Sequence, residues 1–149
     1  MPVKPDETVI SKGAVIEHSI RRIQEEYHAD PTLASVTHMD ALILNVERAC
    51  QAAIDLAALI AANQKIGIPD SREDTFESLH RVGILPTDLV HRLKTMMKFC
   101  EIAIHQHQEI ETDILHHIAM EGWKDFIEFC ATIGLQIDPG SSLHSGIAP

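Results

Sequence analysis

A chain of 149 residues has room for one ordinary domain with a single sizeable core and leaves none for a second catalytic domain. Its composition is 45% hydrophobic and 4% aromatic, with ample Leu, Ile and Ala, which favours a folded helical protein over a disordered chain or an aromatic-rich sheet. Twenty-two acidic residues against twelve Lys and Arg give a formal net charge of -10, which opposes broad attraction to phosphate backbones, so any nucleic-acid chemistry needs a locally favourable cleft.

The start, MPVKPDETVI, lacks the apolar core of a signal peptide. No run of about 18 apolar residues is free of charge, so the expectation is a cytoplasmic protein without a membrane span. Residues 1–10 read as an N-terminal extension. From there Ile16, Ile20, Ile23 and Tyr27 recur at helical steps and predict a helix over roughly 11 to 28, which HADPTL interrupts. A longer pattern, from Val36 to Gln64, carries Met39, Ile43, Val46, Cys50, Ala53, Ala57 and Ile60, and Gly67 and Pro69 stop it. In PDSRED, Asp70 and Glu73 stand at capping-box spacing with Ser71 as a competing cap, and a short helix with Phe76 and Leu79 runs to about Val82 before Gly83.

Pro86 then opens a helix through Leu89, Leu93, Met96, Met97 and Cys100 toward His105. A last segment begins near Thr112 and carries Ile114, Ile118, Trp123, Phe126, Ile127, Cys130 and Ile133, with Gly122 a weak point and Gly134 a C-terminal stop. Met96 and Met97 read as core or dimer packing, and Tyr27 and Trp123 as packing residues with polar edges. Residues 135–149, rich in Gly, Ser and Pro, read as a flexible tail. With no repeat and no alternating strand, the chain is expected to be all-α: an antiparallel four-helix bundle with a short accessory helix over residues 11–134. The three cysteines are odd in number and far apart, which favours three small buried hydrophobes in a reducing compartment over a disulfide framework.

Chemistry concentrates in CEIAIHQHQ, residues 100–108. Glu101 and His105 are four residues apart and share a helix face, where the carboxylate orients the imidazole or raises its pKa. Cys100 lies roughly 140° around the helix from His105, and His107 points to another side while the helix persists. Zinc would suit Cys100, His105, His107, His116 and His117, yet neither a Cys-x-x-Cys pair nor a His-Glu-x-x-His signature accompanies them. A Cys-His nucleophile lacks a neighbouring base at helical spacing. RNA cleavage is a third reading, since an imidazole can take the proton of a ribose 2′-hydroxyl or protonate a leaving oxygen. It also needs a cation at the phosphate, and Phe99 to Glu111 contains no Arg or Lys. Arg92, Lys94, Lys98 or a second subunit would have to supply it. The plain structural reading, a packed helix end with spare histidines, stands beside these.

Three blocks, LILNVERACQAAIDLAALI, KIGIPDSREDTFESL and LKTMMKFCEIAIHQHQEIETDIL, occur in an order and spacing that resembles the DUF86 or HepT branch of the HEPN superfamily, over roughly Ser11 to Ile133. The resemblance implies a helical-bundle ribonuclease toxin, homodimeric, acting on RNA without metal or cofactor, and paired with a minimal nucleotidyltransferase antitoxin. The family signature is arginine, four residues, histidine, one residue, tyrosine, often with asparagine after the arginine. Carried onto this chain, His105 is the retained histidine and His107 stands at the tyrosine. These two are the expected catalytic residues. Cys100 replaces the arginine and Glu101 the asparagine, so a guanidinium fork is lost and a carboxylate gained. The alternative expectation is therefore a catalytically degenerate binding or regulatory protein that keeps the nucleotidyltransferase partner.

Overall fold

The computed structural model describes residues 6–67, 71–105 and 112–139, with the side chains of residues 72, 73 and 103–105 excepted. Every regular element among them is helical. Helix α1 spans Glu7–Ala29 and begins before the expected residue 11, because the Asp6 carboxylate accepts the Val9 amide at 2.9 Å and Val9 extends the buried stripe of Ile16, Ile20 and Ile23. The connection to α2 is organised by Asp30, which accepts the Ser35 amide at 2.6 Å and the Thr32 hydroxyl at 2.7 Å. Leu33 sits there at φ 57, a left-handed conformation held by burying its side chain.

Helix α2, Val36–Asn63, is capped by Ser35 and packs against α1 more extensively than any other helix pair. Its small residues Ala49, Ala53 and Ala57 are fully buried, which lets the two axes approach closely. Helix α3, Arg72–Arg81, is capped by Ser71, whose hydroxyl accepts the Asp74 amide at 3.1 Å; Asp70 lies outside the described residues. Gly83, at φ 84, turns the chain toward α4, Thr87–His105, and His80 Nδ1 donates to the Leu85 carbonyl across that turn at 3.0 Å.

The last segment is helical but not uniform. Helix α5, Thr112–His117, passes through a π-helical turn at Ile118–Gly122 into α6, Trp123–Thr132. A Cβ on Gly122 would lie 2.5 Å from Met96 Sδ, so the glycine permits close approach of α4 and the local winding accommodates it. Gly134, at φ 92, ends the helix as its position suggests. Beyond it Leu135 is buried over Gly13 of α1, and the Asp138 amide donates to Glu17 at 2.9 Å. Residues 135–138 thus pack on the bundle; 140–149 lie outside the described residues.

One expectation is overturned. Cys50 on α2 and Cys100 on α4 are joined in a disulfide, with their Cα atoms 6.8 Å apart and both side chains 2% exposed. The bundle brings together two positions fifty residues apart in sequence, a proximity that spacing along the chain does not reveal. Cys130 alone matches the buried-hydrophobe reading, and burial pushes its thiol up to about 12. Among the described residues no helix is long and apolar enough to cross a membrane.

The core is closed by Phe76, Phe126 and Phe129, all fully buried, and Met96 and Met97 belong to the same buried cluster, the first of the two alternatives the sequence left for them. Phe76 of α3 meets Phe129 of α6 edge to face, centroids 5.5 Å apart at 80°, so the short accessory helix is held by an aromatic pair. A double-mutant cycle of Phe76→Leu and Phe129→Leu in urea should therefore show a coupling energy of about 0.5–1.5 kcal/mol. Strict additivity would mean that the two rings do not stabilise each other.

Candidate active site on the fourth helix

Helix α4 is amphipathic, and its burial fixes which residues reach solvent. Leu89, Leu93, Met96, Met97 and Cys100 are buried, whereas His91, Thr95, Lys98 and Glu101 are exposed. Cys100 thus faces inward, onto α2, where it is covalently held. Glu101, one residue later, stands on the outside. His105 is the final residue of α4, and four-residue spacing puts its Cα on the face that carries Glu101. The His105 side chain and all of His107 lie outside the described residues. Cys100 is therefore directed to Cys50, not into a cluster with Glu101.

The cations named in the sequence separate into different roles. Arg92 is held by three carboxylates, Glu128 at 2.6 Å, Asp125 at 2.7 Å and Asp88 at 3.2 Å. Its pKa is raised further by the hydrogen bonds to Glu128 and Asp125, which makes it a tie between α4 and α6. Lys94 pairs with Glu77 of α3 at 2.6 Å, and that contact also holds the Glu77 carboxyl below its usual range. Lys98 is exposed and has no carboxylate partner among the described residues.

The remaining histidines near this helix have separate partners. His116 Nδ1 is 2.7 Å from the Tyr27 hydroxyl, with the two rings edge to face, so α5 is fastened to the end of α1 across 89 residues of sequence. This contact gives Tyr27 the polar edge expected of it. His117 lies edge-on to Phe99 of α4, centroids 5.5 Å apart. It borders a groove of about 480 Å³ between α4, the π-helical turn and α6, floored by Met96 and Phe99 and edged by Glu121, Asp125 and Glu128. Arg92 and Lys124 line it too, but both are paired with these acids, which outnumber them and leave the groove unfavourable for phosphate. Among the described residues no group of three or more His, Cys, Asp or Glu side chains is placed to hold a metal. The Tyr27–His116 pair, the groove and the Cys50–Cys100 link escaped sequence reasoning because each is a contact between helices distant in the chain.

Comparison with known proteins gives this arrangement relatives. The profile of the family described as Ribonuclease HepT-like matches residues 16–133. The mRNA nuclease HepT of Shewanella oneidensis is 35% identical over 129 residues, a match that covers 86% of this chain and 97% of that protein. Among solved structures, a toxin–antitoxin complex with AMP-PNP aligns with a TM-score of 0.81 at 35% identity, covering 87% of this chain and 99% of the other. The tri-AMPylated Shewanella oneidensis HEPN toxin in complex with an MNT antitoxin aligns with a TM-score of 0.80 at 35% identity, covering 87% and 98%. The helical architecture of this chain matches theirs.

The cysteine arrangement is directly countable. Protein purified without reductant and denatured under thiol-blocking conditions should release one titratable thiol per chain, from Cys130, and three after reduction. Three thiols before reduction would show that Cys50 and Cys100 are unlinked in that preparation.

Proposed function

This chain belongs to the ribonuclease HepT-like family, and we propose that it is the toxin component of a cytoplasmic toxin–antitoxin pair, a homodimeric, metal-independent ribonuclease. The observation that carries this reading is the near-complete coverage of the mRNA nuclease HepT, 97% of its length, with His105 kept at the end of α4. In the proposed reaction the His105 imidazole takes the proton of a ribose 2′-hydroxyl, and that oxygen attacks the adjacent phosphorus. The bond from phosphorus to the 5′-oxygen of the next nucleotide breaks, and the leaving oxygen takes a proton from His107. The products are a 2′,3′-cyclic phosphate and a 5′-hydroxyl, and neither step calls on a metal or cofactor.

The partner is proposed by likeness as well. A solved relative, the tri-AMPylated HEPN toxin, is bound to an MNT antitoxin, and a nucleotidyltransferase of that kind is the partner we assign to this chain. Neutralisation here must differ from modification of a motif tyrosine, because residue 107 is histidine and the chain's single tyrosine, Tyr27, is engaged with His116. A second reading, a catalytically degenerate regulatory protein with the same partner, is favoured by one specific observation. Cys100 is buried and tied to Cys50, so the position that carries the family's phosphate-binding arginine presents nothing to a substrate.

A cleavage assay with chelator present separates the two. Wild-type protein should cut a broad RNA panel, and His105→Ala should lower the rate by at least about 100-fold, the scale of a lost proton-transfer group. If neither protein cuts, the degenerate reading holds; cutting unchanged by the substitution removes His105 from the chemistry.

A further inference from the structure

Cleavage of a phosphodiester requires that the strand be gripped through its charge, and in a chain of net charge -10 that grip has to be local. The motif arginine cannot supply it here. We propose that Lys98 is the RNA-binding residue that does, holding a backbone phosphate next to the one addressed by His105. The assignment rests on the ribonuclease reading above and extends it to a residue outside the family signature.

Lys98 and His105 are seven residues apart on α4, which is about 20° short of two full turns, so their Cα atoms lie on one face of the helix. Their separation along the axis is about 10 Å. Helical side chains lean toward the N-terminus, so a Lys98 ammonium set on one phosphate leaves the His105 end of the face to the next part of the strand. The face is open to solvent: His91, Lys98 and Glu101 along it are all exposed. Cys100 and Met97 turn the other way, into the core.

Arg92 and Lys94 are committed to carboxylates on α6 and α3, and Lys124 pairs with Glu121 at 3.1 Å. On the first helix Lys12, Arg21 and Arg22 are paired as well, and Arg81 of α3 is held by Asp74. Arg48 and Lys65, which have no such partner among the described residues, lie on α2 and in the turn after it. Among the described residues Lys98 is thus the cation of α4 that no carboxylate holds, and the one set to meet a phosphate. Glu101 stands between Lys98 and His105 on the same side and repels phosphate from the middle of the face, which favours engagement at its two ends over a single central contact.

The role predicts a binding effect, because an ammonium set on a neighbouring phosphate holds ground state and transition state alike. The test uses the full-length protein and a fluorescently labelled single-stranded RNA with 2′-O-methyl riboses, which lacks the attacking hydroxyl and so reports binding alone. Lys98→Gln should weaken binding about three- to tenfold at low salt and reduce the slope of log K against log salt by about 0.7, with Lys98→Arg restoring both. Lys94→Gln, which removes a cation already paired with Glu77, should leave the slope unchanged. On cleavable RNA, Lys98→Gln should raise KM and leave kcat in place.

Wild-type binding with an unaltered slope in Lys98→Gln overturns the assignment and leaves the ribonuclease reading standing. A large fall in kcat at constant KM overturns it too, since that marks a group acting at the scissile bond. No salt-dependent RNA binding by the wild type overturns both. Lys98-dependent binding without cleavage of ordinary RNA upholds the assignment and sets aside only the catalytic part of that reading.

Discussion

The rotation of α4 about its own axis is the constraint on which the candidate site depends. A continuous apolar stripe, Leu89, Leu93, Met96, Met97 and Cys100, is buried against the bundle, and no other rotation of the helix would remove those side chains from water. Three ties made in different directions secure it: Cys100 to Cys50 on α2, Arg92 to Asp125 and Glu128 on α6, and Lys94 to Glu77 on α3. The Gly122 turn adds close contact at Met96. With one side immobilised from three directions, the outer side is set too, and it carries Lys98, Glu101 and the backbone position of His105.

This geometry separates two properties that the family signature combines. In the signature, arginine and histidine occur together, one for phosphate charge and one for the proton. In the assignment we propose, Cys100 at the arginine position serves the core, while His105 stands at the end of the same helix. A buried cysteine costs little desolvation in a place where an unpaired guanidinium would cost several kcal/mol, so the substitution is easy for the fold. Its consequence falls on chemistry: charge for phosphate has to come from another residue, and the other cations of α4 are tied to acids.

Much of the bundle was legible in the sequence because its signals are local. Apolar residues at steps of three and four located the long helices, while Ser71, Gly83, Pro86 and Gly134 marked boundaries that the structure uses. The early start of α1 depended on a single cap, Asp6, and the π-helical turn on a glycine whose neighbour, Met96, comes from another helix. The burial of Leu135 likewise depends on Gly13, far away in the chain. At the site, the exposed stripe of α4 follows from periodicity alone. The Cys50–Cys100 link and the Tyr27–His116 contact do not, since each needs the packing of two helices to be known first. Which cations are paired among the described residues is invisible for the same reason, as Arg92 and Lys98 differ only in what the fold places beside them.

In the reaction proposed for this chain, a histidine at the end of α4 drives cleavage through the ribose 2′-hydroxyl, without a metal. The chemistry of the RNA ends formed in the presence of chelator tests it most directly, by mass spectrometry of the fragments. That route leaves 2′,3′-cyclic phosphates opposite 5′-hydroxyls. Fragments carrying 5′-phosphates and 3′-hydroxyls would contradict it, because those ends arise when water, not the neighbouring hydroxyl, attacks the phosphorus.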